Sequence, residues 1–212
     1  MTEYAYGLWP VVIVNAGIFI FFGLGFLKPK GHGEWRSLGA FSAFVVALFT
    51  EMYGFPLTIY LLTSVLGSRY PIIDPFSHIN GHLWLALGVP IPVFELIHLV
   101  SNLAIWGGLA IMGIGWWQIH RAGGELVTSG LYGVVRHPQY FGLFLITVGF
   151  LIQWPTIVTV AMWPVLMFMY YRLGRREERE MESRFGDRYI AYRQRVRMFW
   201  PRLLSASHTA EA

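Results

Sequence analysis

Two groups of ionisable residues stand at the ends of apolar segments, where helix packing alone does not require them. The first is Arg136-His137-Pro138, and the second is the pair Glu177-Glu178, about forty residues later. Proline suits the first turn of a helix, whose free amides and dipole favour an anion, so Arg136 and His137 indicate a carboxylate site. Carboxylates accept hydrogen bonds from hydroxyl and ammonium groups. Together the two groups predict a site for a small polar molecule.

Other short motifs accompany these groups in a fixed order. They are Gly130-Leu131-Tyr132, Arg136 to Gly142, Glu177-Glu178, Phe185 to Tyr192, and Arg195-Val196-Arg197 before Pro201. This order resembles the isoprenylcysteine carboxyl methyltransferase family, integral-membrane enzymes that also resemble phospholipid methyltransferases. The match covers roughly residues 110 to 203. Leu131 and Arg197 stand where many relatives have proline. These two differences affect the expected path of the local loops, but they remove no charged group of the motif.

The resemblance implies S-adenosylmethionine as the cofactor and a set of residues around it. Arg136 and His137 are the expected catalytic residues. The expected cofactor-binding residues are Gly115, Gly130, Tyr132, His137, Pro138, Tyr140, Glu177 and Glu178. The expected substrate-binding residues are Arg136, Tyr189, Tyr192 and Arg197. Tyrosine rings suit adenine and a sulfonium through stacking and cation-π attraction. Gly115 lets a backbone approach a ligand, although small residues serve helix packing in membranes equally well.

Methyl transfer from a sulfonium is an in-line displacement, for which the protein must align and desolvate the reactants. No metal is expected. The acceptor is expected to be lipophilic, with a prenylcysteine-type carboxylate first and a lipid amine or small thiol as alternatives. A carboxylate is already ionised and would be held by Arg136 through charge-assisted hydrogen bonds. A thiol or amine would need a base, for which His137 is the candidate.

Each of these residues also has a simpler explanation. Arg136 and His137 suit a cytoplasmic anchor, and Glu177-Glu178 suits a solvated helix face among neighbouring arginines. Tyrosines are common at membrane interfaces. The shared order of the motifs favours the functional interpretation over these.

A second cluster of ionisable residues lies in the amino-terminal half. Its members are Glu51, His78, His82, Glu95 and His98. Carboxylates and imidazoles are metal ligands, and ionisable groups inside membranes are usually functional. The cluster therefore leaves open a metal-dependent membrane oxidoreductase, a substrate gate, or structural pairing between helices. A noncatalytic membrane protein, built on a second span kinked near Gly54-Phe55-Pro56, is a further alternative.

The elements that must position these residues are apolar helices. The chain has 212 residues, of which 55% are hydrophobic and 13% charged, a composition outside the usual soluble range. A helix needs about 20 residues to span a bilayer. The long apolar runs of this chain therefore predict an all-α, polytopic membrane protein with about five transmembrane helices. The predicted spans are 8–27, 39–66, 93–117, 139–153 and 155–173. Gln153-Trp154-Pro155 predicts a tight turn between the last two.

Basic residues set the expected orientation, because basic loops stay in the cytoplasm. Ten arginines lie between Arg172 and Arg202, after the fifth span. The amino terminus should therefore lie outside, and the motif and a helical carboxyl-terminal segment in the cytoplasm. This asymmetry accounts for the pI of about 9.5 without nucleic-acid binding. Membrane lipids are the expected surroundings.

The chain divides into three predicted regions. Residues 1–109 form an amino-terminal transmembrane region that bears on substrate access, residues 110–204 a methyltransferase core, and residues 205–212 a disordered tail. There is no cysteine, which excludes disulfides and a thiol nucleophile.

Overall fold

The computed structural model describes residues 83–90 and 92–201, together with positions 17, 42, 44–48, 58 and 65. Its named elements are all helices. They are α1 (Leu83–Ala86), α2 (Val93–Arg121), α3 (Leu131–Val134), α4 (Pro138–Gln153), α5 (Ile157–Phe185) and α6 (Asp187–Arg195). No strand occurs within these described ranges, where a single parallel β-bridge joins Val135 to Arg197.

Helices α2 and α5 are each 29 residues long and apolar enough to cross a membrane, whereas α4 is a shorter apolar helix. They correspond to the third, fifth and fourth predicted spans. The all-helical prediction is confirmed for the described residues, and the two long apolar helices are candidate membrane spans. Apart from a few isolated positions, the first two spans, with the kink near Pro56, and the tail 205–212 fall outside the described residues, so the five-span count stays a prediction.

The tight turn between α4 and α5 lies where the sequence predicts it. Helix α4 ends at Gln153, and Thr156 caps α5 through a reciprocal pair of hydrogen bonds with Thr159. The indole of Trp84 donates to the Ile152 carbonyl at 2.8 Å, which ties α1 to the end of α4. These contacts satisfy polar groups at a turn that joins two apolar helices.

Helices α2 and α4 pack through small residues. A Cβ atom added to Gly108 would lie 2.5 Å from the Gly142 carbonyl oxygen and 2.8 Å from Ile146 Cγ1. One added to Gly149 would lie 2.9 Å from the Ser101 carbonyl oxygen. Only glycine lets the two backbones come this close, as in other membrane helix pairs.

The core of the described region lies between α2, α4 and α5. Its buried members are Phe44, Val45, Leu48, Met112, Tyr140, Leu143, Ile146, Phe150, Trp154, Leu166, Tyr170 and Leu173. Their burial fixes the relative positions of α2, α4 and α5, and so of Arg136-His137-Pro138 and Glu177-Glu178.

Helix α5 continues well past the predicted end of the fifth span at residue 173 and carries Pro164 within it. It stops at Gly186, whose φ of 54° favours glycine, and α6 begins at the next residue. After α6, residues 196–201 form a non-helical segment, here called the strap, that returns to the start of α4.

Candidate active site

The strap holds the start of α4 in place. The amide of Arg136 donates to the Arg197 carbonyl at 2.9 Å, and the amide of His137 donates to the Met198 carbonyl at 3.1 Å. Pro138 is the first helical residue, as the sequence predicts. The backbone that carries the side chains of Arg136 and His137 is therefore held by its hydrogen bonds to the strap and by the start of α4.

These two side chains meet the two carboxylates of α5. Arg136 Nη2 lies 2.9 Å from Glu178 Oε1. His137 Nδ1 lies 3.4 Å from Glu177 Oε2, and its Nε2 lies 3.5 Å from Glu178 Oε1. The structure thus brings together the two groups that the sequence separates by about forty residues, and it does so through side-chain contacts.

The cluster is largely shielded from solvent. The side chains of Arg136 and Glu178 are 9% and 2% exposed, whereas that of Glu177 is 31% exposed. Within the part of the chain that the structure describes, Nε and Nη1 of Arg136 are buried without a hydrogen-bond acceptor. Buried guanidinium groups normally have all their donors satisfied, so two open donors fit a bound anion.

The charge of His137 is set by its two carboxylate neighbours. Burial alone lowers the pKa of the imidazole, but hydrogen bonding and Coulombic attraction from Glu177 and Glu178 outweigh it, and the pKa of His137 is raised above its ordinary value. The imidazolium form is therefore favoured in the folded protein.

Aromatic rings enclose the same groups. The hydroxyl of Tyr140 donates to Glu177 Oε1 at 2.5 Å, and its ring stacks on Tyr170 at 5.7 Å. The ring of Phe199, in the strap, lies 5.6 Å from that of His137. A Cβ added to Gly174 would lie 3.0 Å from Phe199 Cζ, so the lack of a side chain at Gly174 lets the strap pack against α5.

A second layer of tyrosines lies beside the cluster. The hydroxyl of Tyr192 donates to the Tyr132 carbonyl at 2.6 Å, and the hydroxyl of Tyr132 donates to the Gly115 carbonyl at 3.5 Å. The rings of Tyr189 and Tyr192 are 5.9 Å apart. Burial, with the charge of Glu178, raises the pKa of Tyr189 to about 12 against the opposing effect of Arg136. All three tyrosines are buried and neutral.

The glycines of the predicted site have packing roles. A Cβ on Gly115 would lie 3.2 Å from Pro138 Cγ, so Gly115 packs α2 against the start of α4. Gly130 has φ of 62° and lies against the Gln118 side chain, which accepts a hydrogen bond from the Leu131 amide. Their roles toward a cofactor stay predictions.

Arg197 contributes through its backbone, since its carbonyl accepts the Arg136 amide while its side chain is exposed. The side chains that the sequence did not single out are Tyr170, Arg175 and Phe199. Arg175 Nη1 lies 3.5 Å from Glu178 Oε2. Its three-residue spacing from Glu178 is a helical signal that points to this contact.

The amino-terminal cluster is only partly described. Glu51, His78 and His82 lie outside the described residues. His98 Nδ1 donates to the Phe94 carbonyl at 2.6 Å, and Glu95 is exposed. Among the residues that are described, no group of three potential metal ligands comes together.

Comparison with known proteins finds similarity to methyltransferases. Residues 93–188 match the phospholipid methyltransferase family. The chain is similar to protein-S-isoprenylcysteine O-methyltransferases: that of Schizosaccharomyces pombe is 33% identical over 72 residues, that of mouse 33% over 73, and the B protein of Arabidopsis thaliana 31% over 74. Each match covers 34% of this chain.

The matched segments cover 30%, 25% and 37% of those three relatives, in the same order. The chain therefore spans well under half of the length of the curated relatives that it matches. No solved structure matches the chain. The family resemblance seen in the sequence is confirmed, and the matched region contains the whole ionic cluster.

Proposed function

We propose that this chain is a membrane methyltransferase dependent on S-adenosylmethionine, because residues 93–188 match the phospholipid methyltransferase family and the chain is similar to isoprenylcysteine O-methyltransferases. Its acceptor is lipophilic, and a carboxylate such as a prenylcysteine-type carboxyl terminus fits best. The observation that carries the proposal is the contact of Arg136 and His137 with Glu177 and Glu178.

The cluster offers complementary charges to the ends of the cofactor. S-adenosylmethionine supplies an electrophilic methyl group on a sulfonium and carries a carboxylate, an ammonium and a ribose diol. Glu177 keeps lone pairs for an ammonium or hydroxyl donor, and it is the more exposed of the two carboxylates. His137 at the start of α4 faces an anion favourably, since the helix dipole adds to its charge. Tyr132, Tyr140, Glu178 and the two glycines stay expected members of this pocket.

The charge state of the cluster bears on the acceptor. A carboxylate acceptor needs no base, and the two buried open donors of Arg136 suit it. A lipid amine or thiol would need to lose a proton, and the raised pKa of His137 works against its acting as that base. The carboxylate therefore fits the residues better, with Tyr189, Tyr192 and Arg197 as expected neighbours.

The protein's own contribution to the reaction is alignment and exclusion of water. Arg136 would hold the acceptor oxygen, while Tyr140, Tyr170 and Phe199 keep the surroundings apolar. Such positioning in a dry site accounts for a large part of the rate of a displacement reaction. The acceptor would come from the bilayer and the cofactor from the cytoplasm.

Calorimetric titration with S-adenosylhomocysteine tests the pocket. The purified wild-type chain should bind it, and His137→Ala and Glu177→Ala should each lose binding. Glu180→Ala is the matched control, because Glu180 is 59% exposed and pairs only with Arg176 on the outside of the same helix. Absence of binding to the wild type would overturn the proposal.

The acceptor is tested separately with two small molecules. A farnesylated cysteine with a free carboxylate should be methylated, and the same compound with its carboxylate converted to an amide should not. Methylation of the amide, or of phosphatidylethanolamine alone, would assign the enzyme to a different acceptor class.

A further inference from the structure

Four arginines line the outer face of α5. Arg175 and Arg176 lie three and four residues after Arg172, Arg179 lies three residues after Arg176, and all four side chains are exposed. At 3.6 residues per turn they occupy an arc of about 100°. They form one stripe, here called the arginine stripe.

The arginine stripe faces away from the candidate active site. On the same helix, Tyr170, Glu177 and Glu178 lie on average about 180° from its centre. Arg175 lies 3.5 Å from Glu178, and the other three stripe arginines form no salt bridge with the ionic cluster among the described residues. The candidate function therefore leaves Arg172, Arg176 and Arg179 without a role.

Within the described residues Arg172 and Arg179 have no carboxylate partner, whereas Arg175 and Arg176 each contact one. Arg176 Nε lies 3.2 Å from Glu180 Oε1, but both side chains are about half exposed, and such pairs are weak. Arg172 lies 5.8 Å above the ring of Phe168. The remaining charge of the stripe is open to an anion.

The same face is apolar one or two turns toward the membrane. Val165 and Phe168 are each 59% exposed and fall within the same arc, as does Ala161. One face of α5 thus has an apolar half and a cationic half, which match the acyl chains and the negatively charged headgroup of an anionic phospholipid. A free phosphate would use only the cationic half.

The depth of the arginines supports this match. At 1.5 Å per residue, Arg175 and Arg176 stand about 5 to 6 Å beyond Arg172 along α5. The headgroup layer on one side of a bilayer is roughly 5 to 7 Å thick. Arginines that follow directly on the apolar face therefore lie at the level of lipid phosphates.

We propose that the outer face of α5 is a binding site for an anionic phospholipid, with its phosphate on Arg172 and Arg176 and its acyl chains along Val165 and Phe168. Neutral phospholipid lacks the net charge that the stripe attracts. The site is separate from the proposed catalytic pocket and needs no cofactor.

Native mass spectrometry of the full chain in detergent micelles tests this site. The wild type should retain phosphatidylglycerol in preference to phosphatidylcholine of the same acyl length. The double variant R172Q/R176Q should bind phosphatidylglycerol roughly 25-fold more weakly, since each basic residue near an anionic lipid surface contributes about fivefold. Its affinity for phosphatidylcholine should not change.

The matched control is R188Q/R195Q, which removes two exposed charges from α6 instead. It should keep the phosphatidylglycerol preference, and both variants should keep the thermal melting midpoint of the wild type. Equal retention of the two lipids by the wild type, or equal losses in both double variants, would overturn the proposal. Displacement of phosphatidylglycerol by an equal concentration of inorganic phosphate would also overturn it, because the apolar half would then contribute nothing.

Discussion

At the scale of single residues, the ion pair of Arg136 and Glu178 is the most buried charged contact of the described region. Removing one partner of such a pair leaves the other charge without compensation, which costs far more than the net contribution of the pair itself. The pair therefore makes the position of Arg136 sensitive to any change at Glu178.

Glu178→Gln should lower the free energy of unfolding by about 3 kcal/mol, because the buried guanidinium of Arg136 loses its carboxylate. Glu180→Gln, on the exposed side of the same helix, should change it by less than about 1 kcal/mol. Denaturant titration in detergent micelles measures both. Equal losses in the two variants would contradict the buried pairing.

The contribution of His137 to stability should fall as the pH rises. The pKa of His137 is raised in the folded state. Its contacts with the carboxylates therefore stabilise the folded protein fully below the unfolded pKa of about 6.5, and this stabilisation is lost as the pH rises through the folded-state pKa. The melting midpoints of wild type and His137→Gln should therefore converge as the pH rises above about 6.5. A gap that widens with pH would contradict this sign.

The sequence was sufficient to single out most of these residues. Arg136 and His137 precede an apolar run and Glu177 and Glu178 follow one, and that signal is visible without a structure. Phe199 could not be found in the same way, since its contact with His137 depends on the return of the strap across α5. Nothing local in the sequence encodes that return.

At the scale of elements, the contact of α2 with α4 depends on backbone proximity. Gly108→Ala should lower the free energy of unfolding by about 1 to 3 kcal/mol, because its new methyl group meets the Gly142 carbonyl and Ile146. Gly107→Ala is the matched control, with nothing within 4 Å of the added Cβ.

The control should be neutral or stabilising, since alanine favours a helix more than glycine does. Thermal melting in micelles distinguishes the two variants. A loss at Gly107 as large as that at Gly108 would show that helix propensity, and not the close approach of α2 and α4, sets the result.

The length of α5 shows where hydropathy misleads. The sequence places the end of the fifth span at residue 173, because the apolar run stops at Arg172. The helix continues to Phe185, since arginine and glutamate are good helix formers that pair along the helix, as Arg176 and Glu180 do. Hydropathy reports the membrane boundary and not the helix end.

At the scale of the whole molecule, the expected orientation can be tested directly because the chain has no cysteine. A single introduced cysteine is then the only site for a maleimide. Leu87→Cys, in the exposed turn after α1, should react with a membrane-impermeant maleimide in intact cells. Arg188→Cys, in α6, should react only after the membrane is permeabilised.

Labelling of both positions in intact cells would contradict the predicted topology, as would the reverse pattern. The overall class of the molecule followed from composition, because long apolar runs have few alternatives to membrane helices. The number of spans and the pairing of the amino-terminal half depend on contacts over long distances, for which composition has no signal.

Pro164 lies inside α5, in its apolar part, and proline removes a backbone hydrogen bond from the helix. The stretch from Pro164 to Glu178 is about 21 Å long, so a change of about 10° in the bend at Pro164 moves the far end by roughly 4 Å. That displacement exceeds the 3.4 Å that separates His137 from Glu177. A change of bend at Pro164 would therefore be enough to separate the imidazole from the carboxylates, so the thickness of the surrounding bilayer could act on the candidate active site through α5.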